Sequence, residues 1–326
     1  MRILVTGSSG FIGSHLLNKL SEDRHELSVF LRTASSVQNF QSVQFFRGDF
    51  FDVDSLKKAV ENQDIIIHCG GVTKVKIPAD FYRFNTEVTC NLTQAVRQWN
   101  PNLKLFIYFS SLSAAGPLSF NDLSHQEIED SPVSHYGKSK KMAEDAVKES
   151  GLPFAIVRPP AVYGPGDRDI FIYFKLVNSG IAPVMGDGKQ MLSLVFVQDL
   201  VEGLALIINH VEKAKGQVFY FNDGHPVNWR EIRETMIDVI KPQRVLRFTV
   251  PVWLLYPLAV LVEGWNRLLG RTNAFNREKV FEMKQISWLC SSGVAQSVLG
   301  YTPAVSLASG FKKTWQWYLQ KAWIKS

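Results

Sequence analysis

Arg2-Ile3-Leu4-Val5-Thr6-Gly7-Ser8-Ser9-Gly10-Phe11-Ile12-Gly13 is a short apolar β run that passes into a glycine-rich loop, and from Ser14 to Leu20 the pattern turns helical. Strand, loop and helix in that order mark a dinucleotide-binding unit, because each glycine has a steric task. Gly7 permits the tight turn, Gly10 lets the backbone approach a pyrophosphate, and Gly13 lets the helix pack closely on the strand. The pyrophosphate would lie at the helix N-terminus, where free N–H groups and the helix dipole favour negative charge. The alternative is a glycine-rich turn without a ligand, which the flanking strand and helix disfavour.

Working outward, a second strand, Leu27 to Leu31, ends at Arg32, 19 residues past Gly13. NAD-binding proteins usually place an Asp or Glu there, on the ribose 2′-OH. Arg32 suits a 2′-phosphate instead, so NADP is the expected cofactor, ahead of NAD; a solvated arginine with no role is the alternative. The strand Val43 to Phe46 leads into Gly48-Asp49-Phe50-Phe51-Asp52, where the Asp49 carboxylate and Phe50 would meet the adenosine end. Asp54 is expected to cap the helix that follows. A fourth strand, Asp64 to His68, runs into Cys69-Gly70-Gly71, small residues that let backbone lie against a cofactor. A fifth, Leu103 to Phe109, ends in Ser110-Ser111-Leu112-Ser113. Strands alternating with helices imply a parallel sheet with ligand at the strand C-termini.

Tyr136-Gly137-Lys138-Ser139-Lys140 places a phenol and an ammonium four residues apart, on one face of a helix. The reference pKa of Tyr is about 10, and a neighbouring Lys⁺ brings it towards the working range of a general acid or base. Such a pair also occurs by chance on solvated helices. The serine cluster 25 residues upstream and the N-terminal glycine loop give it weight. His135, the rival proton donor, is turned about 100° from Tyr136 on a helix and is read as a flanking residue.

With 326 residues, 46% hydrophobic and 20% charged, the chain suits a globular α/β protein of one large domain or two unequal ones. The net charge of +6 fits an anionic cofactor or an anionic membrane surface, and no basic run points to nucleic acid. Cys69, Cys90 and Cys290 lack metal-ligand spacing, so no metal is expected, and they read as reduced thiols of a cytoplasmic protein. Strand-like sequence beginning at Arg2 leaves no room for a signal peptide.

Taken together, these residues resemble the extended short-chain dehydrogenase/reductase family, also called the NAD-dependent epimerase/dehydratase family. The matching pieces are Thr6 to Gly13, Gly48-Asp49, Asn85, Ser110-Ser111, Tyr136 to Lys140, and Arg158-Pro159-Pro160-Ala161-Val162-Tyr163-Gly164-Pro165-Gly166-Asp167. They keep family order and spacing over about half the chain. The C-terminal third matches more loosely, through Val197-Gln198-Asp199-Leu200 and Leu299-Gly300-Tyr301-Thr302-Pro303. The resemblance implies a catalytic Ser111, Tyr136 and Lys140. Tyr136 would exchange a proton with a substrate oxygen and Ser111 would hydrogen-bond the same oxygen. Lys140 would hold the nicotinamide ribose and lower the Tyr pKa. Asn85 would order backbone, Pro159 would back the nicotinamide, and Ser113 is a candidate second donor. The loop residues Gly7, Ser9, Gly10, Phe11, Ile12 and Gly13 would line the cofactor.

Four features narrow the chemistry. Sugar-nucleotide dehydratases of the family resemble Thr-Asp-Glu at the place of Ser111-Leu112-Ser113, and Leu112 and Ser113 cannot supply that carboxyl acid and base. In Gly186 to Ser193, Leu192 stands where sugar-nucleotide enzymes usually carry an Arg on the diphosphate, and no aliphatic side chain replaces that fork. The segment Asp169 to Phe174 is more apolar than a sugar site requires, with simple helix core as the other reading. Finally, Val250 to Val262 is apolar on all faces for 13 residues, too short to span a bilayer, which takes about 20. Over 250–269, buried core, an apolar pocket lid and an interfacial membrane helix stand open. Trp315, Trp317, Tyr318 and Trp323 read as packing residues.

The expectation is a Rossmann-type doubly wound parallel sheet over 1–165, with a return segment 194–215, and a smaller C-terminal α/β substrate domain from 166–193 and 216–326. The expected activity is an NAD(P)-dependent oxidoreductase acting on a secondary alcohol or ketone of a fairly apolar small molecule, sterol-like or flavonoid-like, in a homodimer. A sugar-nucleotide 4-epimerase with tightly bound NAD is the rival on the same fold. A non-catalytic nucleotide sensor is the third reading, and the intact Ser111, Tyr136 and Lys140 oppose it.

Overall fold

A computed structural model describes residues 1–32, 43–119, 129–268, 277–285 and 287–324. The end of the 250–269 stretch lies outside the described residues. Seven parallel strands form one sheet in the order Gln217–Phe219, Phe154–Val157, Leu105–Phe109, Ile65–His68, Arg2–Thr6, Glu26–Arg32, Val43–Gly48. The chain order reverses at Arg2–Thr6, the first strand, whose two neighbours are the second and fourth; ligands bind at such a switch point. Ile65–His68 and Leu105–Phe109 are buried along their whole length, as strands covered on both faces must be.

Side chains alternate between two cores. Ile3, Val5 and Ile67 meet Leu16, Leu17 and Leu20 of the helix Phe11–Glu22 and Leu200, Leu204 and Ile208 of Val197–Asn209. Leu4, Ile66 and Phe106 meet Leu56 and Val60 of Val53–Val60, Leu92 and Val96 of Val88–Trp99, and Ala143 and Val147 of His135–Glu149. The sheet is therefore doubly wound, as expected. The boundary expected at 215 is corrected: Gln217–Phe219 pairs in parallel with Phe154–Val157, because its buried Phe219 completes the first core.

A separate cluster joins the helices Asp169–Asn178, Trp229–Ile240 and Leu307–Gln320 through Phe174, Val177, Met236, Phe311 and Tyr318. Short strands edge it, among them Met191–Leu192 between Val227–Asn228 and Ser287–Trp288. Phe171 packs edge-on against Tyr318 and Trp323, and Phe174 lies stacked with Trp315. The apolar side of Asp169–Asn178 and the terminal tryptophans thus serve packing.

The helix expected to start at Asp54 starts earlier. Asp52 is its cap and accepts the Asp54 N–H at 3.1 Å, since an acceptor must precede the first free N–H groups. The apolar stretch from Val250 forms the helix Val252–Leu268, with Pro257 inside it. Leu255 and Ala259 are buried against Val280, Met185 and Val250, whereas Trp253 and Leu261 are each 71% exposed. The buried-core reading of this stretch fails on that outer face. Among the described residues, no helix is long and apolar enough to cross a membrane.

Candidate active site

The C-terminal ends of the strands gather Thr6, Arg32, Asp49, His68 and Phe109 along one edge of the sheet. At the switch point the backbone crowds itself. Gly7 has φ +75°, and a Cβ on it would lie 2.6 Å from the Gly70 nitrogen. A Cβ on Gly13 would lie 2.3 Å from the Gly7 carbonyl oxygen, so these two glycines are dictated by the protein's own packing. Gly10 differs: a Cβ there would meet only the Gly7 carbonyl, at 3.3 Å. The space above it is open, as approach by a ligand backbone or phosphate needs. Gly10 also caps the helix Phe11–Glu22 without a side-chain bond, and no acid occupies the first turn. These features fit a pyrophosphate.

Several residues expected to line a cofactor turn inward instead. The Phe50 ring packs in the core, 4.9 Å from Phe30 and 5.8 Å from His68, because it closes the layer between sheet and helices. Ile12 and Cys69 pack against the opposite core, and burial raises the Cys69 thiol to about 12. The Phe50 ring is thereby withdrawn from a ligand, whereas Ile12 and Cys69 stay partly exposed. Gly70 and Gly71 are kept small by protein neighbours, the His68 ring and the Asn85 amide oxygen, the latter 3.0 Å from a Cβ built on Gly71. Ser9, Arg32 and Asp49 are exposed, and Phe11 meets the His15 ring edge-on at 5.5 Å. Asp49 accepts the Phe51 N–H at 3.1 Å, and the buried Pro159 accepts the Leu112 N–H at 2.9 Å.

Asn85 orders backbone, as the sequence suggests. It lies in a π-helical stretch, Tyr82–Glu87, and its amide clamps the loop after the fourth strand. Its oxygen accepts the Val72 N–H at 2.8 Å, and its NH₂ donates to the Val72 carbonyl at 3.1 Å and to Ser139 at 3.0 Å. One turn on, the Thr89 hydroxyl donates to the Asn85 carbonyl at 2.6 Å, so it must accept from His68 Nε2–H at 3.2 Å. His68 Nδ1 therefore accepts the Thr6 hydroxyl at 2.6 Å. Burial drops the imidazole to about 3, which keeps it neutral beneath the glycine loop.

Ser111, Tyr136 and Lys140 come together at the end of the fifth strand. Ser111 caps the short helix Leu112–Ala115 and accepts the Ser113 N–H at 3.1 Å, so Ser113 contributes its backbone here. The Ser111 hydroxyl proton is left for the hydrogen bond with the Tyr136 phenol. Gly137 brings the two elements together, since a Cβ on it would lie 2.2 Å from the Ser113 carbonyl oxygen. Ser134 caps the Tyr136 helix and accepts the Gly137 N–H at 3.1 Å. His135 points elsewhere, to the Tyr82 hydroxyl at 2.8 Å.

The expectation that Lys140 lowers the Tyr136 pKa is not met. Burial pushes the phenol up to about 12, against the pull of the Ser111 hydrogen bond. Burial also draws the Lys140 ammonium down to about 8, with the Glu144 carboxylate opposing. The physical reason is where the charge goes: Lys140 Nζ donates to the Phe109 carbonyl at 2.5 Å and sits 4.5 Å above the Tyr108 ring.

Sequence reasoning missed the scaffold around these groups. Arg158 is 4% exposed and spends its whole guanidinium on Glu144, at 2.8 and 2.6 Å, Asp130, at 2.7 and 2.6 Å, and the Tyr220 hydroxyl, at 2.7 Å. Glu144 stands one turn past Lys140, so this network fixes the helix that carries Tyr136 and Lys140. From the C-terminal part, Glu282 accepts the Ser134 hydroxyl and Glu278 the His135 N–H, each at 2.8 Å. Lys74 and Asp169 form an ion pair between the loop after the fourth strand and the start of the helix Asp169–Asn178. Arg158 had a sequence signal only as the first residue of the Arg158-Pro159 motif, and Glu144 only in its helical spacing from Lys140. Among the described residues no cluster of His, Cys, Asp and Glu could hold a metal.

Comparison with known proteins places this geometry. The profile of the NAD dependent epimerase/dehydratase family matches residues 3–220. UDP-glucose 4-epimerase of Vibrio cholerae is 31% identical over 98% of this chain and 95% of its own length. Ceramide reductase of Caulobacter vibrioides is 28% identical over 99% of this chain and 96% of its own. In fold, the chain resembles UDP-glucuronic acid 4-epimerase from Bacillus cereus, solved with UDP-glucuronic acid and NAD. That likeness has a TM-score of 0.79 at 20% identity and spans 98% of this chain and all of the other.

Proposed function

This chain belongs to the NAD dependent epimerase/dehydratase family and is an enzyme of the extended short-chain dehydrogenase type, and from that premise we propose an NAD(P)-dependent oxidoreductase that interconverts a secondary alcohol and a ketone on an apolar, lipid-like substrate. The observation that carries the substrate class is Leu192. It is buried between Val227 and Trp288, so the position offers a diphosphate no cation. The likeness to ceramide reductase supports the same class. A bound nicotinamide supplies or accepts the hydride. Tyr136 gives its phenol proton to the ketone oxygen in reduction and takes it back in oxidation, and Ser111 hydrogen-bonds that oxygen. Burial holds the phenol near 12, so it carries its proton at neutral pH and is available as the acid in carbonyl reduction. Lys140, charged below about 8, would hold the nicotinamide ribose, and the glycine loop the pyrophosphate.

Arg32, exposed at the end of its strand and opposite Gly48, supports a preference for the 2′-phosphate of NADP. Titration should then show tighter binding of NADPH than NADH, with the order reversed by Arg32→Asp; equal affinities remove the preference. Substrate class is tested by thermal shift with NADP⁺, comparing UDP- and GDP-sugars with steroids, flavonoids, ceramides and aliphatic secondary alcohols. Stabilisation by a nucleotide sugar alone would sink the reading. It would favour the second one, a sugar-nucleotide 4-epimerase, which the 31% identity to the Vibrio enzyme supports. Tightly held NAD in the purified protein would point the same way.

A further inference from the structure

We propose that the face built by the helix Val252–Leu268 docks the enzyme on an anionic lipid bilayer, with the helix lying in the plane of the surface. Of fifteen large hydrophobic residues exposed among the described residues, eight fall between 246 and 281. Trp253 and Leu261 are 71% exposed, Leu246 65%, Phe281 50% and Tyr256 47%. Scattered apolar residues need no explanation, but their concentration on one helix and the two elements flanking it does. The inner side of the helix is already satisfied by Val280, Met185 and Val250. Its outer side mixes aliphatic residues with Trp and Tyr, the side chains suited to the level of lipid headgroups.

Charge selects the occupant. Residues 241–285 contain eight basic and three acidic side chains, a net +5 out of +6 for the whole chain. Lys241, Arg244, Arg247, Lys279 and Lys284 are exposed around the apolar face, and Lys284 Nζ lies 5.6 Å above the Tyr256 ring. A second copy meeting this face in a two-fold contact would bring these exposed basic residues against their own copies, which opposes self-association. An anionic surface complements it, with several basic residues each contributing to attraction within a Debye length. Seventeen residues with a proline inside cannot span a bilayer but can lie on one.

The docking face is joined to the chemistry by the helix Arg277–Met283. That helix packs under Val252–Leu268 through Val280, and its Glu278 and Glu282 hold the N-terminus of the Tyr136 helix. Docking stands on the surface alone. That it presents a membrane-resident substrate to Tyr136 rests on the lipid-like reading above, and the two are separable by experiment.

The test is flotation of the full chain with phosphatidylcholine vesicles and with phosphatidylcholine–phosphatidylglycerol vesicles, at low and high salt. The protein should float with the anionic vesicles, and pure phosphatidylcholine or high salt should cut the bound fraction about tenfold. Trp253→Glu with Leu261→Glu should also lower binding about tenfold while cofactor titration and circular dichroism stay unchanged. Absence of flotation, flotation that the double variant leaves intact, or a dimer in light scattering that the double variant abolishes would each overturn the proposal. Turnover of a soluble ketone in detergent reports on the substrate class and is independent of vesicle binding.

Discussion

Gly137→Ala should damage the enzyme more than any propensity argument suggests. In a helix interior the change from Gly to Ala ordinarily stabilises by about 1 kcal/mol. Here the new Cβ would lie 2.2 Å from the Ser113 carbonyl oxygen, 3.0 Å from its carbon and 3.2 Å from Pro132 Cβ. Ordinary contact begins at 3.4 Å, so the Tyr136 helix and the Ser111 turn must part by about 1.2 Å. The obstacle is backbone and cannot swing aside. Overpacking of that kind costs about 1–3 kcal/mol, leaving a net loss of about 0–2 kcal/mol. The rate suffers more, because the shift separates Ser111 from Tyr136, and a misplacement of about 1 Å can cost about 10²-fold. The assay is urea unfolding beside kcat on a ketone identified by the ligand panel. Gly264→Ala is the control: it sits in the exposed part of a helix with nothing within 4 Å of the added Cβ, and should gain about 1 kcal/mol without loss of rate. If Gly137→Ala gained stability as the control does and kept its kcat, the account of how Ser111 and Tyr136 are brought together would be wrong.

Tyr136→Phe should lower kcat by about 10²–10⁴-fold and leave cofactor affinity nearly unchanged; full turnover would remove the proton-transfer role. Burial draws Lys140 down to about 8, so its ammonium is present below that pH and lost above it. Cofactor affinity should therefore hold steady up to about pH 8 and fall beyond, whereas Lys140→Arg should show a flat profile, both followed by fluorescence titration. Arg158→Met leaves the buried Glu144 and the part-buried Asp130 carboxylates without their cation, and should destabilise by about 3–5 kcal/mol in urea unfolding. A loss below about 1 kcal/mol would mean that water shares the network.

How much of this was legible in the chain depends on whether the determining contact was local. Gly7 and Gly13 could be read because strand, turn and helix are consecutive, and the structure returns their roles as 2.6 and 2.3 Å clashes. The helical spacing of Tyr136 and Lys140 was equally local. Their electrostatics were not, since the Phe109 carbonyl that takes the Lys140 charge arrives from 31 residues away. Phe50 and Cys69 stand in loops that face a ligand, yet their side chains turn into the two cores, a choice made by the far side of the sheet. Glu278 and Glu282 were invisible for the same reason, reaching the Tyr136 helix from more than 140 residues downstream. Asp52 rather than Asp54 caps its helix, an error of two residues where either carboxylate would suit.

The π-helical stretch Tyr82–Glu87 has a consequence of another kind. A π turn accommodates one residue more than an α turn. Deleting a single residue there would regularise the helix and leave Val88–Trp99 free to pack as before. It would also rotate one side of the segment by about 100° against the other. Asn85 would then miss Val72 and Ser139, and the loop leaving the fourth strand would lose its clamp. Chain length, and not only residue identity, is therefore under constraint at this point. Scanning by substitution leaves such a constraint unseen, whereas the loss of one codon exposes it.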